Sequence, residues 1–168
     1  MREFEEFLVQ AAAQIAPEYF LLPIRDADAR YRERVYCYEL YHQLRSQWPP
    51  DCPYFLNGEV DKGGHPYVQQ NRAAPKPDFI VHVPGTDNNY AVMEVKSPVV
   101  DLAGIRVDIR KMLQFRVFGY QRLLYLFYGM SAHEAIRKIE DAGTTAEDMA
   151  AIEIWVHSYP GRTAERAQ

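Results

Sequence analysis

The chain has 168 residues, 48% of them hydrophobic and 25% charged, which is enough for one domain with a sizeable core. Its formal charge of −4 excludes a globally basic surface, so any contact with nucleic acid has to rest on a local basic patch. No run of about 18 apolar residues occurs and no charged-then-apolar leader, which predicts a cytoplasmic protein without a membrane span. Cys37 and Cys52 have no metal-ligand spacing and fit reduced thiols.

Phe4, Phe7, Leu8, Ala11, Ala12 and Ile15 recur at helical spacing, opposed by Glu3, Glu5, Glu6 and Gln10, and Pro17 stops the pattern. An apolar bridge over 19–24 follows. A second helix is predicted over about 29–48, with Cys37, Leu40, Tyr41 and Leu44 in its stripe, Arg30, Arg32, Arg34 and Arg45 outside it, and Pro49 and Pro50 at its end. Glu39 stands inside its most apolar stretch, where an unpaired charge is penalised, so it either points to water or has a partner. Positions 56–62 read as a strand carrying Asn57, Glu59 and Asp61 on one face. The polar loop after it brings Gln69, Gln70, Asn71, Arg72 and Lys76, which suit a phosphate backbone or an ordinary mobile connection.

Residues 77–96 organise the chain. Asp78 opens one apolar run, and Glu94 and Lys96, two apart, close the next. Alternation along a strand places Glu94 and Lys96 on one face, Met93 and Val95 on the other. Pro84, Gly85, Thr86, Asp87, Asn88 and Asn89 between the runs are turn-forming residues and predict an antiparallel hairpin. A turn centred near Thr86 sets Asp78 across from Glu94, and one centred on Asp87 sets it across from Lys96. Either keeps the three on one face. Opposed Cβ atoms lie about 4.5–5.5 Å apart, so two carboxylates there repel unless a cation separates them. All-oxygen ligands suit Mg²⁺ or Mn²⁺ better than zinc.

After Ser97 and Pro98 a helix over 101–118 turns Leu102, Ile105, Ile109, Met112, Leu113 and Phe115 inward. Arg106, Arg110 and Gln114 recur every four residues with Lys111 adjacent, a basic stripe that is either solvated surface or a phosphate contact. The continuous apolar run over 121–128 predicts a strand buried on both faces. Ser131 can cap a helix over 132–141, a short helical turn follows at 144–150, a last strand spans 152–159, and the tail 161–168 has no sign of packing.

Pro77, Asp78, Glu94, Val95 and Lys96 resemble the PD-(D/E)xK nuclease motif. The element order α-α-β-β-β-α-β-α-β resembles a restriction-endonuclease-like core, an α/β (α+β type) fold with a central mixed sheet flanked by helices. On this reading a single domain, 1–168, has its core at about 31–128. The N-terminal helix and bridge occupy 1–22, a C-terminal helix and strand 129–160, and a flexible tail 161–168. The resemblance implies that Asp78 and Glu94 hold Mg²⁺ or Mn²⁺, with the Val95 carbonyl a further ligand. Lys96 orients the attacking water or stabilises the transition state, and Glu39 or Glu59 is an auxiliary acid. It implies a metal-dependent nuclease acting on nucleic acid, DNA ahead of RNA, in a form that can include a homodimer or larger assembly. The alternative is a catalytically inactive nuclease-fold module for nucleic-acid binding or protein interaction. No GxSxG, P-loop, GxGxxG or zinc-spaced His/Cys pattern supports another chemistry.

Overall fold

The expected hairpin forms the middle of the sheet in the computed structural model, which describes residues 4–59 and 76–168. Strand β4, Phe79–His82, pairs antiparallel with β5, Asn89–Lys96, in the register Phe79↔Met93, Ile80↔Val92 and Val81↔Ala91. That register centres the turn on Thr86, and a bulge beyond Val81 shifts His82 to pair with Asn89. The Thr86 hydroxyl accepts from the Asn88 amide and donates to the Val83 carbonyl, so the turn residues close the loop with their own side chains.

Around it lies a mixed sheet of six strands flanked by helices. Its order is β3 (Phe55–Gly58), β4, β5, β6 (Arg122–Tyr128), β7 (Glu153–His157) and β8 (Glu165–Arg166). β3, β4 and β5 run antiparallel in succession, β5, β6 and β7 are parallel, and β8 is antiparallel to β7. The apolar run at 122–128 is buried on both sides as expected, because alternate residues enter opposite cores. Leu124, Leu126 and Tyr128 join helices α1 (Phe4–Ala13) and α3 (Glu33–Ser46). Leu123, Tyr125 and Phe127 join α4 (Leu102–Val117) and α5 (Ala132–Asp141).

Three segments differ from the sequence expectation. The bridge at 19–24 divides into a turn of helix, α2 (Pro17–Phe20), and strand β1 (Leu22–Ile24), which folds back on β2 (Ala27–Arg30). Asp26 takes φ 59° at that turn, a conformation a short polar side chain tolerates. Because β2 uses residues up to Arg30, α3 begins at Glu33 instead of about 29. The tail expected to be unpacked supplies β8, with Ala164 buried beside it.

The later helices start where their caps stand. The Asp101 side chain accepts from the Gly104 amide before α4, Ser131 and Glu134 form a capping box at α5, and Thr145 caps the short α6 (Ala146–Ala150). Gln69, Gln70, Asn71 and Arg72 lie outside the described residues, as do Asp61 and Lys62 of the expected first strand. Among the described residues no helix is long and apolar enough to cross a membrane, and Cys37 and Cys52 form no disulfide.

Candidate functional site

Continued one residue past Phe79↔Met93, the register sets Asp78 across from Glu94, and the chain brings the two acids to the same end of the hairpin. Asp78 Oδ2 accepts the Val95 amide at 2.7 Å, while its backbone carbonyl takes the Glu59 amide at 2.9 Å, so residue and strand end are fixed from both sides. Glu94 is buried on the α4 face of the sheet, where the rows of apolar side chains give way to charge. Lys96 follows it on that face with its ammonium 3.2 Å from Glu94 Oε1.

Two further acids meet Lys96, neither of them singled out in the sequence. Glu33, the first residue of α3, lies 3.5 Å from the Lys96 ammonium and accepts both the Ser97 amide, at 3.2 Å, and the Ser97 hydroxyl, at 3.1 Å. Asp108, buried on α4, lies 3.3 Å from Lys96 through Oδ2 and 2.8 Å from Lys111 through Oδ1, and accepts the Tyr125 hydroxyl at 3.4 Å. Lys111 closes the cluster on Glu94 Oε1 at 3.4 Å. Asp108 was detectable: it stands three residues after Ile105 and four before Met112, inside the buried stripe, which is the position that drew attention to Glu39. Glu33 carried no such signal, since with the helix expected from about 29 it was an ordinary second-turn acid, and its partner is 64 residues away.

The electrostatics follow from burial among like charges. Burial first, then Asp78 and Asp108, push the Glu94 carboxyl up to about 7, against the opposing pull of Lys96 and Lys111. Asp78 is also raised by burial, although the Val95 amide and Lys96 offset part of it. For Lys96 burial favours the neutral amine, but Glu94, Asp108, Glu33 and Asp78 together outweigh it and raise the pKa, so the ammonium persists at any ordinary pH. Lys111 shifts the same way, burial being overcome by its bond to Asp108.

Apart from Lys111, the side chains of the other expected residues take other partners or solvent. Glu39 accepts Gln43 Nε2 at 2.6 Å, one turn along α3. Glu59, with φ 46°, pairs with Arg34 at 3.3 Å and with Lys76 at 3.0 Å, and the hydrogen bond from Lys76 holds its carboxyl below the usual range. The basic stripe on α4 divides. Arg106 donates through Nε to the Ala142 carbonyl at 2.9 Å, Arg110 to the Arg106 carbonyl at 3.2 Å, and Gln114 is exposed. Lys111 lies about 100° round the helix from Arg110 and faces the acids.

Oxygen donors of this kind are the hard ligands that Mg²⁺ and Mn²⁺ take, and burial, with neighbouring carboxylates second, raises both carboxyl pKa values, a penalty on the charged forms that a cation would relieve. Their charge is met here by the ammonium groups of Lys96 and Lys111. Among the described residues no group of three or more His, Cys, Asp or Glu side chains is arranged to hold a metal ion. Neither a scan against protein-family models nor a search of curated proteins finds a match to the chain.

Proposed function

We propose that the chain is a metal-dependent nuclease of the PD-(D/E)xK kind, built on a restriction-endonuclease-like core and hydrolysing phosphodiester bonds of nucleic acid, DNA ahead of RNA, in the cytoplasm. The observation that carries this reading is the convergence of Asp78, Glu94 and Lys96 at one end of the β4–β5 hairpin, with Glu33 arriving from α3. Asp78 and Glu94 would hold Mg²⁺ or Mn²⁺, with the Val95 carbonyl as a further ligand. A cation held there would supply an activated water and a counter-charge for the phosphate.

The protein's own contribution is electrostatic. Lys96 is kept protonated by its acids, so it acts as a fixed positive charge and hydrogen-bond donor to negative charge developing on the phosphoryl oxygens or the water, and not as a proton acceptor. Glu33 and Asp108 fix where that charge stands by bracketing the ammonium from two helices. The alternative, a non-catalytic module of the same fold, draws support from the mutual compensation of Lys96, Lys111, Glu94 and Asp108, in which each carboxylate already has an ammonium partner.

Incubation with single- and double-stranded DNA and RNA under Mg²⁺, Mn²⁺ and EDTA separates the two. Cleavage that needs the cation and disappears in Asp78→Ala is the expected outcome. Cleavage that survives either treatment, or none with any substrate, overturns the assignment.

A further inference from the structure

A cavity of about 300 Å³ adjoins the acidic cluster, lined by Tyr38 and Tyr41 of α3, Asn57 and Gly58 of β3, and Phe79 beside Asp78. It is at the small end of ligand sites, which suits one planar ring system better than an extended molecule. Its walls are aromatic: Tyr41 and Phe79 lie within 8° of parallel, and Tyr38 is 62% exposed where most large apolar side chains of this chain are buried. Of the two carboxylates in its lining, Glu59 is paired with both Arg34 and Lys76.

A small cavity with aromatic walls, sharing Asp78 with the cluster and with Arg34 and Lys76 paired to its Glu59, has the parts needed to stack a base while its strand continues past the acids. We propose that this cavity takes an unstacked base of a single-stranded nucleic acid, which makes single strands, or duplex ends splayed open, the substrate class of the site. The inference rests on the nuclease reading above and extends it. A base inside a duplex is paired and stacked on both sides and cannot enter without being extruded.

The test is the binding of a short fluorescent single-stranded DNA, and of the same strand in a duplex, measured in EDTA so that no metal-dependent cleavage intervenes. Wild type is expected to favour the single strand. Tyr38→Ala should weaken that binding about ten-fold, while Tyr38→Phe, which keeps the ring, should leave it within about two-fold of wild type. Tyr38 is largely exposed, so both variants should fold, and matching thermal midpoints confirm it. Equal or tighter duplex binding, wild-type affinity in Tyr38→Ala, or no single-strand binding by wild type overturns the slot. Cleavage under Mg²⁺ is scored separately. Cleavage with binding indifferent to Tyr38 removes the slot and keeps the nuclease, whereas Tyr38-dependent binding without cleavage removes the nuclease and keeps the slot.

Discussion

Lys96 concentrates the chemistry at the scale of single residues, with its ammonium within 3.5 Å of Glu33, Glu94 and Asp108. If it stabilises developing charge, Lys96→Met should lower turnover by about 10²–10³-fold with KM and Mn²⁺ affinity little changed. Steady-state kinetics read this directly, and full rescue by excess Mn²⁺ would assign Lys96 to charge balance alone. Glu94 makes a separate prediction for the metal-free protein. Its folded carboxyl is raised from 4.5 to about 7, so between those values the folded state holds more protons than the unfolded one, and stability falls as pH rises. The full cost is on the order of 3 kcal/mol above neutrality and is absent below pH 4.5. Glu94→Gln should therefore gain on wild type in thermal midpoint as pH climbs from about 5 to 8 in EDTA. A midpoint difference, variant minus wild type, that stays constant or falls as pH rises would contradict the raised value.

The trio of Asp78, Glu94 and Lys96 was readable from strand alternation and the turn residues between the runs, because both are local properties of the chain. Glu33 was not, since its place depends on where β2 ends and α3 begins and on a partner in another element. Glu39 finds its partner locally: an acid in an apolar stretch needs one, and on a helix Gln43 one turn away is enough.

Between elements, caps and tight crossings fix the geometry on which the site rests. Ser131, the cap the sequence indicated, and Glu134 satisfy each other's backbone amides at the start of α5. Ser131→Ala should cost about 1 kcal/mol, visible as a lower midpoint in chemical unfolding with an unchanged slope. Gly129 is more demanding. It leaves β6 with φ 78°, and a Cβ there would stand 2.6 Å from Tyr31 Cε1. Gly129→Ala should lose about 1–3 kcal/mol, combining left-handed strain with displacement of the Tyr31 ring. A midpoint equal to wild type would mean that the ring gives way freely. In the sequence Gly129 is simply the residue after the apolar run at 121–128, and the ring that crosses it comes from a residue nearly a hundred positions earlier, which no local pattern reports.

Across the whole molecule the sheet separates two apolar cores, and charge collects where the β5 end meets α3 and α4. The periodicities of β5, β6 and the helices made this layering legible. The β1–β2 hairpin and β8 were not, being too short to carry a pattern and held by pairing with other strands. The central claim is that this end of the sheet binds a divalent cation through Asp78 and Glu94. Calorimetric titration of Mn²⁺ tests it most directly, carried out on wild type, Asp78→Ala and Glu94→Ala with folding checked for each. The account predicts one site in wild type that both variants lose, and equal binding by all three, or none by wild type, would contradict it.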